Sequence, residues 1–186
     1  ITCRDWSSDV CSSDLVVFTG YQKVIDPAAH KKFSDAWGFP DGICAPENGY
    51  EVTTMINVLA DNPGELKAMY IMGENPMLSD PDLTHAEHAL KQLEFLVVQD
   101  IFLTETAALA DVVLPASCYA EKSGTQTSTE RRVQLWRPAQ DPPGEARLDW
   151  KIICEVAAAM GYGKQFTYNS AEEIFNEIEI GRASCR

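Results

Sequence analysis

The sequence has no long apolar run, no CxxC pair, and few basic residues for its number of acidic ones. No segment approaches the roughly 18 consecutive apolar residues that mark a membrane-spanning helix. Neither end carries the apolar stretch of about 7 to 15 residues that marks a signal peptide. From these absences we expect no direct insertion of this segment into a membrane.

The shortage of basic residues makes the chain strongly acidic. It has 15 Lys and Arg residues against 28 Asp and Glu residues, which gives a formal net charge of −13. Binding to nucleic acids or anionic membranes depends on clustered Lys and Arg, so this balance argues against both. We expect no nucleic-acid partner. An acidic surface fits either simple solubility or the docking of a basic partner.

The six cysteines are too widely spaced to suggest a metal site. Without a CxxC pair, neither a zinc site nor an iron–sulfur site can be assigned to this segment. We interpret Cys44, Cys118 and Cys154 as reduced and mostly buried, which favours a cytoplasmic setting. The other three cysteines, near the two ends, are Cys3, Cys11 and Cys185.

Apolar runs alternate with amphipathic stretches along the middle of the chain. The runs at 68–72, 95–98 and 112–114 are typical of buried strands, and residues 84–93 carry an apolar stripe at helical spacing. Strands separated by helices favour a parallel sheet with right-handed crossovers. We therefore predict an α/β class, with a doubly wound, mainly parallel sheet and flanking helices.

Four polar residues mark predicted helix starts, namely Asp26, Thr84, Asp149 and Ser170. A proline follows Asp26 at the first helical position, as helix N-termini prefer. A glutamate follows Thr84 and Ser170 after three residues, which is the spacing of a capping box. A further short helix is predicted at 105–110, before the third strand.

Polar turns follow the first two predicted strands. Gly73-Glu74-Asn75-Pro76 comes after the first strand, and Gln99-Asp100 ends the second. The carboxyl ends of parallel strands share one edge of the sheet, where ligands bind. We therefore expect Gly73 to Asn75 and Gln99 to Asp100 to lie side by side at a ligand site.

Several of these stretches together resemble the molybdopterin-guanine-dinucleotide oxidoreductases. The residues that carry the resemblance are GENP at 73–76, VVQDIFLTETAALADVVLPA at 97–116, EKSG at 121–124, ERR at 130–132 and GEARLDW at 144–150. The resemblance extends from about Val17 to about Gly163, and it is strongest to the large subunit of formate dehydrogenase. It implies that the predicted α/β fold is part of the family's cofactor-binding domain.

The resemblance implies that the cofactor is a pterin guanine dinucleotide carrying molybdenum or tungsten. The guanine base presents two adjacent N–H donors that suit a carboxylate such as Asp100. The pyrophosphate of the dinucleotide suits backbone N–H groups or a cation such as Lys122. Asp100 could instead cap the following turn, Lys122 could be a solvated surface residue, and Asp149 could cap its helix. The full set of implied cofactor-binding residues is Gly73, Glu74, Asn75, Gln99, Asp100, Lys122 and Asp149.

The implied reaction of the full-length enzyme is the two-electron oxidation of formate to CO2. This segment would supply no catalytic residue and no metal ligand, and the ligands of the parent's 4Fe-4S cluster would lie elsewhere. The implied partners are the rest of the same large subunit and iron–sulfur or flavin subunits that carry electrons. A cytoplasmic location is expected, although a lost N-terminus could have carried a periplasmic signal.

Two alternative functions share much of this pattern. One is a periplasmic-type nitrate reductase, which shares several of these motifs. The GENP and VVQDIF residues favour formate dehydrogenase over it. The other is the pterin-free iron–sulfur subunit of a respiratory NADH-quinone oxidoreductase. Retention of Asn75, Asp100 and Lys122 together argues against that second alternative.

The two ends differ in character from the rest of the chain. Residues 1–15 and 179–186 resemble translated sequencing-adapter read-through, and we expect them to be non-native. Residues 16–178 are then expected to be a fragment of the oxidoreductase domain, inactive on its own. Residues 1–14 and 180–186 are expected not to pack against it.

Two histidines have a spacing that could suit a metal site. His85 and His88 lie three residues apart on a predicted helix, close to a metal-ligand spacing. No third ligand with suitable spacing is visible in the sequence. We interpret both as members of a solvated polar helix face.

Overall fold

A computed structural model of the chain describes residues 17–18, 22–37, 47–130 and 132–183, with the side chains of 17 and 178–183 left out. The helices are α1 (Pro27–Trp37), α2 (Val52–Asp61), α3 (Pro76–Ser79), α4 (Leu83–Leu90), α5 (Asp149–Ala159) and α6 (Ala171–Ala183). The strands are β1 (Val17–Phe18), β2 (Gln22–Lys23), β3 (Ala68–Met72), β4 (Phe95–Asp100), β5 (Val112–Pro115), β6 (Gly124–Thr127) and β7 (Val133–Trp136). Short 3-10 turns occupy Ala107–Leu109 and Tyr119–Glu121.

The central sheet has the order β3-β4-β5, and both of its strand pairs are parallel. Its register places Met72 opposite Gln99 and Asp100 opposite Pro115, so the three strands end together. The pairs β1-β2 and β6-β7 are separate antiparallel ribbons. The predicted α/β class, with a parallel sheet and flanking helices, is confirmed.

The main core lies between one face of this sheet and the helices α2 and α4. Side chains alternate between the two faces of a strand, so every second residue of β3 and β4 points into this layer. The asparagine, proline and glycine after Asp61 end α2 and lead the chain into β3, as the sequence pattern indicates. The buried residues of the layer are Ile56, Leu59, Ile71, Ala89, Leu90, Leu96, Val98 and Ala107.

Two of the predicted helix starts are confirmed by hydrogen bonds. Asp26 Oδ1 accepts from the Ala28 N–H at 2.9 Å, at the start of α1. Ser170 Oγ accepts from the Glu173 N–H at 3.2 Å, one residue before α6. Both side chains satisfy backbone donors that have no partner within the helix.

The start predicted at Thr84 was wrong. Helix α4 begins at Leu83, and its N-cap is Asp82, whose Oδ1 accepts from the His85 N–H at 3.0 Å. An aspartate two residues earlier reaches the same orphan N–H groups, so Thr84 falls inside the first helical turn. The segment predicted as a short helix at 105–110 forms only the 3-10 turn at Ala107–Leu109.

The third strand forms as predicted, but the prediction that it is buried was wrong. Val112 and Val113 are each 38% exposed. The reason is that β5 is an outer strand of the sheet, and in the described part of the chain it pairs only with β4. The helix α5 buries Ile152 and Ala157, while Met160, at its C-terminal end, is 69% exposed.

The predictions for the two ends fall mainly outside the described residues. Residues 1–16 and 184–186 are not described, and the backbone of α6 is helical as far as Ala183. The proposed boundaries at 15 and 179, and the expected lack of packing by the ends, therefore stay predictions. In the part of the chain that is described, no helix is both long enough and apolar enough to cross a bilayer.

Candidate functional site

The carboxyl edge of the sheet brings the two polar turns together. The Gly73 N–H donates to the Gln99 carbonyl oxygen at 2.9 Å, so the turn after β3 is joined to the end of β4. Gly73 has a φ of 64°, in the left-handed region that glycine adopts without steric cost. A side chain at Gly73 would meet open space, so its backbone is accessible from the edge. The predicted adjacency of these two turns is confirmed.

Asn75 ties the turn after β3 to the segment that follows β4. Its Nδ2 donates to Glu105 Oε2 at 2.8 Å, and its Oδ1 accepts from the Thr106 hydroxyl at 2.7 Å. The bond from Asn75 lowers the pKa of the exposed Glu105 carboxyl. Thr106 is fully buried, and its Oγ1 also accepts from the Met77 N–H at 3.1 Å. Asn75 therefore organises the edge, and among the described residues its Nδ2 donates only to Glu105.

Asp100 closes a local turn with one of its two carboxylate oxygens. Its Oδ1 accepts from the backbone N–H groups of Ile101 at 2.6 Å and Phe102 at 3.3 Å. Within the described residues, no group donates a hydrogen bond to the other oxygen, Oδ2. The local turn and a role in ligand binding are therefore compatible, because they use different oxygens of the carboxylate.

Behind this edge, Gln99 is a completely buried polar residue. It has 0% exposure, its Oε1 accepts from the Tyr70 hydroxyl, and its Nε2 donates to Asp149 Oδ1 at 2.9 Å. Both ends of the amide are thus bonded within the protein. Glu74, in the turn after β3, is also nearly buried, at 9% exposure. The structure therefore gives Gln99 no exposed surface for direct contact with a ligand.

Asp149 connects this buried amide to Lys122. Its Oδ2 accepts from Lys122 Nζ at 2.5 Å, and Lys122 also donates to the Ser117 carbonyl oxygen at 3.4 Å. The prediction that Asp149 caps α5 was wrong, because the N-cap residue is Leu148 and Asp149 is the first helical residue. The bonds of its carboxylate go to the Gln99 amide and the Lys122 ammonium, and the ammonium is a charged, strong partner.

Glu121 is a structural residue that the sequence reasoning missed. It is only 8% exposed, its Oε2 accepts from the Cys118 N–H at 2.9 Å, and its Oε1 accepts from Gln140 Nε2 at 3.1 Å. The bond from the Cys118 backbone is the main reason that the pKa of Glu121 is lowered. The sequence pattern that could have indicated this role is the capping-box spacing, with Glu121 three residues after Cys118. Cys118, predicted to be buried, is a half-buried free thiol.

We expect Glu121→Gln to destabilise the chain near neutral pH and to weaken the dependence of its stability on acid. A lowered pKa in the folded state means that Glu121 adds stability above its ordinary value of 4.5, and that this stability is lost as the pH falls below it. Glutamine keeps the size but removes the charge, so its bonds to the Cys118 N–H and to Gln140 become bonds between neutral groups. Urea unfolding at several pH values between about 3 and 7 measures both effects. An unchanged slope below the ordinary pKa would contradict this role of Glu121.

A groove runs along the outer part of the same edge, beyond Asp100. It encloses about 360 Å³, and it is largely apolar. Phe102, which contributes to it, is 72% exposed and presents an aromatic ring beside Asp100. The groove's other lining residues include Ile101, Pro115, Ala116, Cys118 and Ala146.

The two histidines lie apart from this edge. His85 Nε2 lies 3.1 Å from Asn57 Oδ1, in a cleft between α2 and the start of α4, and His88 is exposed. Among the described residues there is no group of three or more His, Cys, Asp or Glu side chains that could hold a metal ion. Cys44, Cys3, Cys11 and Cys185 are outside the described part of the chain.

The fold and the sequence correspond to a known class of redox protein. The family model of the Molybdopterin oxidoreductase matches residues 42–159, and the chain belongs to this family. It is 57% identical, over 162 residues, to the F420-dependent formate dehydrogenase subunit alpha of Methanocaldococcus jannaschii. That alignment covers 87% of this chain and 23% of the relative.

One other relative is named for a different activity, and one solved structure shares the fold. The chain is 40% identical over 159 residues to the assimilatory nitrate reductase catalytic subunit of Bacillus subtilis, covering 86% of this chain and 22% of that subunit. The acetylene hydratase of Pelobacter acetylenicus has the same fold, with a TM-score of 0.61 and 23% identity, over 81% of this chain and 21% of that structure. This chain therefore spans less than a quarter of the length of each of these proteins.

Proposed function

We propose that this chain is part of the large subunit of a formate dehydrogenase and that it binds the guanine end of a pterin guanine dinucleotide. The observation that carries the proposal is the shared sheet edge, where Gly73, Asn75 and Asp100 lie together. There the Asp100 Oδ2 atom and the backbone of Gly73 are open to a ligand. The high identity to formate dehydrogenase alpha subunits supports the choice of substrate class. Asp100, Asn75 and Gly73 would contact the cofactor directly, with Lys122 beside them.

The chemistry of the edge fits a nucleobase better than it fits a bare phosphate. Its side chains are mostly acceptors, and guanine offers adjacent N–H donors that a carboxylate accepts well. The exposed ring of Phe102 gives an apolar surface against which a base could lie. Lys122 adds a cation whose side chain is 37% exposed, and this suits an oxygen of the pyrophosphate. Gln99 and Asp149 would then act through Lys122.

The residues of this chain would bind and orient the cofactor and would take no part in the chemical step. The cofactor supplies a molybdenum or tungsten centre that accepts two electrons when formate is oxidised to CO2. The metal ligand, the substrate-handling residues and the 4Fe-4S ligands would come from other parts of the large subunit. Electrons would leave through iron–sulfur or flavin partner subunits. A cytoplasmic location is part of this proposal, on the basis of the cysteine pattern.

A nitrate reductase is the second candidate, because one of the relatives has that activity at 40% identity. A pterin-free iron–sulfur subunit is disfavoured, because the described relatives with high identity are formate dehydrogenase alpha subunits.

The proposal is tested with the purified full-length subunit. We expect it to release guanine nucleotide on denaturation, to contain molybdenum or tungsten, and to reduce an artificial dye with formate. Reduction of nitrate without formate oxidation would instead establish the second candidate. A full-length subunit without either metal or guanine nucleotide would contradict both and would support the pterin-free alternative.

A further inference from the structure

Four side chains form an unbroken hydrogen-bonded chain across the carboxyl edge of the sheet. Tyr70 of β3 donates to Gln99 of β4, Gln99 donates to Asp149 of α5, and Lys122 donates to the same carboxylate. The four residues come from four separate segments that are 27 to 50 positions apart at each link. We call them the Tyr70–Lys122 relay.

Chemistry permits only one arrangement of the relay. The Asp149 carboxylate is an acceptor only, so the NH2 of Gln99 must face it and the Gln99 carbonyl oxygen must face Tyr70. Tyr70 must therefore act as donor. Gln99 has 0% exposure, so no solvent molecule can replace a partner that is lost. The pKa of Tyr70 is raised, first by burial and then by the charge of Asp149, which keeps its hydroxyl protonated and able to donate.

The outer end of the relay controls the direction of one ammonium group. Lys122 has three N–H donors, of which one points to Asp149 Oδ2 at 2.5 Å and one to the Ser117 carbonyl oxygen at 3.4 Å. The short bond to Asp149 sets the main direction of the ammonium group, and the longer contact to Ser117 is weaker. The side chain is 37% exposed, so solvent and small ions can reach part of it.

We propose that Tyr70 and Gln99 are positioning residues that aim Lys122 at an anionic oxygen of the cofactor, although neither touches it. This inference rests on the proposed function, and it adds Tyr70, which no motif indicated. It also assigns an indirect role to Gln99, whose buried amide has no route to a ligand. Because a buried amide is costly when its hydrogen bonds are not made, the Gln99 amide fixes the positions of Tyr70 and Asp149 on its two sides.

The test uses the full-length subunit with Tyr70→Phe, and the matched control is Tyr50→Phe. Tyr50 also donates to a carboxylate oxygen, Glu65 Oε1 at 2.7 Å, but it lies on the exposed surface and outside the relay. The first measurement is the acylation rate of Lys122 in cofactor-free protein, read by mass spectrometry against Lys67 and Lys91. The second is the amount of guanine nucleotide retained through gel filtration.

Tyr70→Phe is expected to speed acylation of Lys122 about two- to tenfold, the equivalent of one lost hydrogen bond, and to leave Lys67 and Lys91 unchanged. Retention of guanine nucleotide is expected to fall by a similar factor, while Tyr50→Phe changes neither quantity. If Tyr70→Phe does not fold, Gln99→Met carries the same measurements, because it removes both bonds and leaves no buried amide unpaired.

Three results would overturn the inference in distinguishable ways. An unchanged acylation rate of Lys122 in both variants would show that the relay does not hold the lysine. In a second result, Tyr70→Phe speeds acylation of Lys122 but retains nucleotide normally, while Lys122→Met loses nucleotide. This would show that Lys122 binds the cofactor without being positioned by the relay. If Lys122→Met also retains nucleotide normally, the role of Lys122 in the proposed function fails, and the role of the relay toward the cofactor fails with it.

Discussion

Replacing Asp100 with asparagine in the full-length subunit should lower the affinity for the guanine dinucleotide about tenfold to a hundredfold, the equivalent of about 1 to 3 kcal/mol. Asparagine can keep the local turn, because its Oδ1 can still accept from the Ile101 and Phe102 N–H groups. Its NH2 group then takes the place of Oδ2 and faces the donors of the base. The Asn NH2 group and an N–H donor of guanine then face each other without a hydrogen bond, in a site that has lost part of its water.

Molybdenum content and guanine nucleotide released on denaturation measure this effect. Activity should fall with occupancy, while turnover per bound metal changes little because Asp100 takes no part in the chemical step. Asp111→Asn is the matched control, since Asp111 accepts from the Leu96 N–H at 2.7 Å at the opposite end of the sheet and should leave cofactor content intact. If Asp100→Asn leaves both metal and nucleotide unchanged, Asp100 is not a cofactor ligand.

Leu59→Ala should destabilise the chain by about 2 to 5 kcal/mol, the usual cost of truncating a buried leucine. Leu59 is 1% exposed and lies in the layer where α2 and α4 pack on the sheet. The loss combines the transfer of the removed methyl groups and the cavity that they leave. For a domain with typical stability of about 5 to 15 kcal/mol this is a large fraction of the total.

Urea unfolding of the two forms measures the difference directly. Leu78→Ala is the matched control, because Leu78 is 70% exposed in α3 and its truncation should change stability by no more than about 0.5 kcal/mol. A similar loss in both variants, or none in Leu59→Ala, would show that the core between the sheet and α2 is not formed as described.

Much of the fold could be predicted from local patterns. The alternation of apolar runs with amphipathic stretches predicted the parallel sheet, because strand and helix periodicities are properties of short windows of sequence. The turn at Gly73 and the polar end of β4 could then be placed on one edge, since parallel strands share their carboxyl ends. The helix starts at Asp26 and Ser170 were predictable for the same reason, because a cap acts on N–H groups two or three residues away.

The roles of individual polar side chains were decided only by the tertiary structure. Asp149 had the sequence of an N-cap, yet its carboxylate bonds to Gln99 and Lys122, which lie 50 and 27 positions away. Tyr70 carried no signal at all, because its partner becomes adjacent only when β3 pairs with β4. A sequence window can report which residues are able to donate or accept. Which partner each one finds depends on how distant segments close around it, and for Asp149 those partners are a charged ammonium and a buried amide from elsewhere in the chain.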